Sequence, residues 1–382
     1  MTTDLMGQPV ACGHDAKIFV SLELSKSRWG IVLFRPSRDK FSHRTAGGGD
    51  AGSLISFLHE QKRLEEARLG RPVRVISCYE AGRDGFWLDR ALRAAGIENH
   101  VFDPASLLVS RRAKQVKTDR IDGEGLLRTL MALDRGEPKV VSVVRVPSVA
   151  AEDERRLTRE RERLVRERTQ HRNRITALLF VQGVRGILLN RPDWTAKLGH
   201  LRTGDGRPLP PHLMAELRRE GARLELADSQ IAAVEAEMAT AAKAQAPQAV
   251  VNQLRQLCAV GPASSAVLAG EVFSHDFADR RAVAAFVGLA PVPWASGQVA
   301  RSQGIAKTGS GRARAAMLEL AWGWLRFQPE STLSHWFQAR VGTTKGRIRR
   351  IAIVALARKL IVALWRYVTQ GVVPEGAKLR SI

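Results

Sequence analysis

Four carboxylates stand where they could share a divalent cation. Glu23 lies in AKIFVSLE, Glu80 closes PVRVISCYE, and Asp119 and Asp122 are three residues apart in KTDRIDGEG. If the last segment is helical, its two aspartates share one face of the first turn. Oxygen ligands of this kind suit Mg2+, and one or two such ions clamp the attacking and leaving oxygens of an in-line phosphoryl displacement. Arg111, Arg112, Lys114, Lys117 and Arg120 crowd around the aspartates in sequence, where they would offset the acids' repulsion and offer charge to a phosphodiester backbone. Taken singly, each acid is more simply an exposed carboxylate, and Asp119 a helix cap.

A second chemistry rests on Ser296, in the loop-like stretch PVPWASGQVARSQG. A serine hydroxyl attacks phosphorus only with a base, a metal or dense positive charge beside it, and Lys307, Arg312 and Arg314 would supply that charge. From the residues alone Ser296 is a turn serine. KTGSGRARAAM is no nucleotide-phosphate loop, because Lys307 precedes the glycines where GxxxxGK[ST] needs it after them. GTTKGRIRR, with Lys345, Arg347, Arg349 and Arg350, misses that spacing too. Both stretches read as backbone-binding loops, against the plainer reading of solvated charged faces. Trp322 and Trp324 cannot share one side of a helix, and Trp294, near Ser296, is placed to stack on a base, although core packing is the default for tryptophan.

These side chains need a scaffold. Alternating β-branched and aromatic runs between turn residues predict three consecutive strands over 16–45, then a helix through Leu54, Leu58 and Leu64. PVRVISCYE predicts a further strand, GFWLDRALRAAGI a helix, and NHVFDP a fifth strand. The order implies an α/β domain over residues 16–135 built on a central sheet. After Pro147 the text alternates charge signs around Leu157, Leu164, Ile175 and Leu178; after a Gly/Pro break at 201–212 a second amphipathic run follows. Two long antiparallel helices are expected over 149–246, a coiled-coil-like arm or a plain linker bundle. A mostly helical domain is expected over 251–370, where LRQLCAVGPASSAVLAGEVF reads as helix, Gly-Pro turn and helix, either a backbone-binding helix-hairpin-helix or an ordinary helical hairpin.

The 382 residues carry 60 Lys+Arg against 38 Asp+Glu, a net charge of +22, with 45% hydrophobic residues. That is too apolar for a disordered basic tail, and charge on this scale favours nucleic acid over a small anion. Three scattered cysteines, Cys12, Cys78 and Cys258, support neither a disulfide framework nor a zinc finger. The first fifteen residues lack the apolar core of a signal peptide, and the apolar run 351–368 is broken by Arg358, Lys359 and Arg366. A cytoplasmic protein, associated with the nucleoid when active, is expected.

SLELSKSRW, CYEAG and RRAKQVKTDRIDGEGLLR together resemble the DEDD-type transposases and site-specific invertases of bacterial insertion sequences. Their carboxy-terminal blocks resemble GLAPVPWASG, QGIAKTG, LELAWGWLRFQP and IAIVALARKLIVALWRYV, in the same order. The resemblance implies an RNase H/RuvC-like amino-terminal domain and a carboxy-terminal transposase domain. It maps Glu80, Asp119 and Asp122 onto the second, third and fourth acids of a Mg2+ site; Glu23 takes the first place, where the family has Asp. It makes Ser296 the nucleophile of a covalent protein-DNA intermediate, and the expected mechanism is a composite site in which the acids of one domain bind Mg2+ and activate Ser296 of the other, from the same or a different subunit. It further implies donor and target DNA, a structured non-coding guide RNA, and dimers that pair into tetramers. A metal-dependent Holliday-junction resolvase or nuclease without serine chemistry, and a catalytically inactive nucleic-acid-binding protein, are the rival readings.

Overall fold

The computed structural model describes residues 16–35, 37–38, 40–82, 85–107, 119–189, 194–245, 249–296, 299–306 and 308–380. The chain divides into two units, Met1–Pro147 and Ser148–Ile382.

In the first unit, β1 (Ala16–Glu23), β2 (Arg28–Phe34) and β3 (Phe41–Gly47) form an antiparallel meander. Between the last meander strand and the next helix, Gly48 passes so close to Lys26 that a Cβ would stand 2.5 Å from its carbonyl oxygen, so no other residue fits without movement. α1 (Ala51–Leu69) follows, capped by the Asp50 carboxylate accepting from the Ser53 amide at 2.9 Å and ended by Gly70 in the left-handed conformation. Then come β4 (Val73–Glu80), α2 (Trp87–Ala94), β5 (Glu98–Phe102) and α3 (Asp119–Asp134).

The sheet order is β3-β2-β1-β4-β5, with β4 parallel to both of its neighbours. Side chains alternate across it. Ile18, Val20 and Leu22 pack with Leu54, Leu58, Leu88 and Leu92 of α1 and α2 on one face. Phe19, Ile76 and Cys78 pack with Leu126, Leu127 and Leu130 of α3 on the other. This is the mixed α/β arrangement that the strand and helix patterns predict.

The second unit opens with α4 (Val149–Phe180), capped by Ser148. A one-turn helix, α5 (Trp194–Lys197), precedes α6 (Pro211–Ala244). α4 and α6 run antiparallel, since Arg161 pairs with Glu235, Arg168 with Asp228, and Arg174 with Glu216. Leu164 meets Ile231, Val234 and Met238 between them.

Beyond lie α7 (Val250–Arg255), α8 (Pro262–Glu271), α9 (Arg280–Phe286), β6 (Pro291–Ser296), β7 (Val299–Ile305), α10 (Gly311–Phe327), α11 (Thr332–Val341) and α12 (Arg347–Gln370). Their shared core gathers Leu268, Val283, Met317, Trp324, Leu356 and Leu360. Trp324 is fully buried while Trp322 is 42% exposed, as two positions on opposite sides of a helix require. Among the described residues no helix is long and apolar enough to cross a membrane.

Candidate active site

Glu23 and Glu80 are the last residues of β1 and β4, one step past the paired Leu22 and Tyr79. Neighbouring strands lie about 4.8 Å apart, so the two acids are cross-strand neighbours. Alternation puts both on the face of Phe19, Ser21, Ile76 and Cys78, which is the face covered by α3. Glu23 is half-buried and Glu80 exposed. Opposite Glu23, Gly30 leaves its flank open; a Cβ there would come to 3.4 Å from the Glu23 Cβ.

α3 runs antiparallel to β1 and is tied to it at both ends. Near its start the buried Ser21 hydroxyl donates to the Gly123 carbonyl at 2.6 Å, and at its end the Lys17 Nζ meets Asp134 at 2.8 Å. The start of α3 therefore sits at the strand ends that carry Glu23 and Glu80. Asp122, half-buried, immediately precedes the anchored Gly123, and Asp119 opens the helix one turn earlier. The positive end of the helix dipole faces the same acids. Burial, with the charge of Glu80 beside it, pushes the Cys78 thiol well up.

The side chains of Asp119 and Arg120 lie outside the described residues, as do Arg111, Arg112, Lys114 and Lys117 altogether. Among the described residues no three His, Cys, Asp or Glu side chains form a metal-holding group, a set that lacks Asp119. Two acids, Glu23 and Glu80, are thus brought together at one end of the sheet by register, and Asp122 and Asp119 lie in the first turn of the helix that Ser21 anchors beside them.

Ser296 ends β6, paired with Val299 of β7, so its backbone is strand rather than the expected loop. Pro291 and Pro293 hide this in the sequence, but a two-stranded ribbon has outer edges that need no amide donor, and the register shifts between these prolines. The base of the ribbon is held by close backbone approach. Ala306 donates to Ala290 and Ser310 to Phe286, each at 2.8 Å. Gly309, at φ +93, allows this, since a Cβ would lie 2.2 Å from the Phe286 carbonyl oxygen. The Ser296 side chain and Lys307 lie outside the described residues.

The region 251–335, which contains this ribbon, matches the model of the Transposase IS116/IS110/IS902 family. Across 375 residues, 95% of each chain, the protein is 48% identical to Putative transposase y4rJ of Sinorhizobium fredii (strain NBRC 101917 / NGR234). It belongs to the IS116/IS110/IS902 transposase family. It is also 30% identical to Putative transposase y4qE of the same organism over 327 residues, 85% of this chain and 75% of the relative. Probable family 20 transposase of Pseudomonas aeruginosa is 27% identical over 297 residues, 77% of this chain and 83% of the relative.

In this transposase the basic residues divide by what they touch. Arg312, in the first turn of α10, bonds Glu162 of α4 through its Nε at 2.6 Å, so its charge is committed within the unit. Arg314 shares that turn and reaches the Gly288 backbone, where a Cβ would stand 2.3 Å from its Nη1. Lys345 precedes α12, while Arg347, Arg349 and Arg350 lie in its first turn, not in the expected loop. All four are exposed, and Arg349 lies 5.2 Å from the centre of the Trp322 ring. Sequence reasoning missed Ser21, Gly30 and Gly123, whose only signals were a polar residue and two glycines at positions that strand or helix propensity disfavours.

Proposed function

We propose that the chain is a DEDD-type transposase acting as a site-specific DNA recombinase, with an RNase H/RuvC-like first domain. The observation that carries this reading is the register that ends β1 on Glu23 and β4 on Glu80 side by side, with α3 anchored above them by Ser21. The sheet order and the shift from antiparallel to parallel pairing agree with it. Clustered carboxylates, which are hard oxygen donors, fit Mg2+. Glu23, Glu80, Asp119 and Asp122 would hold it, and the longer Glu23 side chain reaches one methylene further than Asp would. When bound, the ion would neutralise charge on a reacting phosphodiester.

Ser296 is the proposed nucleophile. Its oxygen bonds to phosphorus as a deoxyribose oxygen leaves with a proton, so one phosphodiester replaces another and rejoining needs no external energy source. The net charge of +22 suits donor and target DNA together with a structured guide RNA, and the active form is proposed as a dimer or tetramer.

The test is a denaturing gel on nicked donor DNA with the RNA that copurifies. A covalent protein-DNA band is expected, lost in Ser296→Ala and in Glu80→Gln. Mg2+-dependent cutting without that band in the unaltered protein would make it a nuclease or junction resolvase. Neither cutting nor adduct, with binding retained, would make it an inactive nucleic-acid-binding protein.

A further inference from the structure

The positive charge of the second unit is unevenly committed. Along α4, Arg161, Arg168 and Arg174 each meet a carboxylate of α6. On α12 the situation is reversed. Its core-facing side carries Leu356, Leu360 and Leu364, all fully buried, while Arg358, Lys359 and Arg366 line an open cleft on the other side. Arg280 and Arg281, at the start of α9, and the segment 372–375 complete the walls.

The cleft has a volume of about 780 Å³, and five cations line it against one acid, Glu375. Among the described residues, none of the five cations makes an ion pair or a side-chain hydrogen bond. Lys359 lies over the Trp336 ring at 4.8 Å, which holds its ammonium without neutralising it. Ala355 and Ala363 form part of the lining, and their small side chains leave the floor open. The Asp279 carboxylate offsets part of the charge of Arg280 and Arg281, yet gathering five cations against so little acid is unfavourable in the isolated protein, so the arrangement suits an anionic occupant.

The dimensions select a polymer over a compact anion. Arg358 and Arg366 are two helical turns apart, about 12 Å, which is the axial rise of about three to four nucleotides of a duplex strand. A single phosphate would leave most of these cations unused.

We propose that this cleft is a phosphodiester-binding groove that holds a nucleic-acid backbone without reading its sequence. It is built from none of the residues assigned to the acidic site or to the serine chemistry. It rests on the nucleic-acid reading given above, but not on the proposed reaction.

The test uses the full chain, a labelled 30-base-pair DNA duplex and an RNA hairpin of matched length, with affinity measured over a series of salt concentrations. Arg281→Ala, Arg358→Ala and Arg366→Ala are combined, and the control combines Arg63→Ala, Arg135→Ala and Arg223→Ala, three cations already paired with acids. The cleft variant is expected to lose at least about tenfold in affinity and to flatten the salt slope by about two units, while the control changes by less than about threefold. Loss with DNA alone assigns the groove to DNA, loss with RNA alone assigns it to RNA, and loss with both leaves it general.

Unchanged affinity and slope for both probes would overturn the groove while leaving the proposed reaction standing. An unaltered protein that bound neither probe would overturn both. Should the cleft variant misfold, acetylation of Lys359 in the unaltered chain decides the matter. Protection by either probe is expected, and equal labelling with and without nucleic acid would overturn the groove.

Discussion

Ser21 donates its hydroxyl hydrogen to the carbonyl of Gly123 across 2.6 Å in the interior of the first unit, and so sets where α3 begins above Glu23 and Glu80. Gly123 is pressed against β2 at the same point, since a Cβ would stand 2.7 Å from a Val32 methyl. Valine is stiff at χ1 and cannot swing clear. Gly123→Ala is therefore expected to destabilise the first unit by about 1–3 kcal/mol in chemical denaturation and to lower DNA cutting beyond the loss of folded protein. Equal stability and activity would show that the helix start tolerates displacement.

The acid titration of Asp205 gives a second expectation. Hydrogen bonds from Arg207, at 2.8 Å through its Nε, and from the Thr203 hydroxyl pull this exposed carboxyl down to about 2. A depressed carboxyl stabilises the folded turn fully above its unfolded value of about 3.9, and that support is lost as the pH falls toward 2. The NMR shifts of the Thr203 and Gly206 amides should titrate near pH 2, and in Asp205→Asn this step should vanish. A midpoint near 4 would mean that the Arg207 contact does not persist in solution.

Between α4 and α6 the apolar contacts should outweigh the ionic ones. Leu164 is buried at 1% exposure, so Leu164→Ala is expected to cost about 2–5 kcal/mol in thermal or chemical unfolding of the second unit. Arg168→Gln, at a 3.5 Å pair open to solvent, should cost less than about 1 kcal/mol. The reverse order would mean that the ion pairs hold the helices together.

Glu162 restrains Arg312 and also pairs with Arg166 at 2.9 Å. Glu162→Gln should leave stability within about 1 kcal/mol, because both contacts are solvent-screened. It should also raise non-specific DNA affinity by roughly two- to fivefold at low salt, with the gain fading as salt rises. A gain that persisted at high salt would point to a rearranged helix pair instead of a released arginine.

Much of the first unit was legible because its strands alternate cleanly and its turns carry the residues that turns need. The face on which Glu23 and Glu80 meet was not, since it depends on β1 pairing in parallel with β4, a contact between segments more than fifty residues apart. Arg312 looked like a free cation for the same reason, as its partner Glu162 is 150 positions away. At Ser296 local chemistry itself misled, because Pro291 and Pro293 argue against any strand except the edge strand that is found. Arg347, Arg349 and Arg350 read as a loop because the glycines before them suggest a turn, yet Gly346 serves as the cap from which α12 starts.

The carboxylates that join α4 to α6 also encode their alignment. Arg161 and Arg168 are one heptad apart, as are their partners Glu235 and Asp228, so a slip of that length preserves one ion pair and, judged by these pairs alone, is harmless. It is not. Sliding Asp228 down to Arg161 would carry Glu235 to Glu154, acid against acid, and sliding Glu235 up to Arg168 would set Asp228 against Ile175, a residue with no exposed surface. Each neighbouring alignment is blocked by a different penalty, electrostatic one way and desolvation the other. Ion pairs that add little to the strength of the hairpin thereby proofread its assembly.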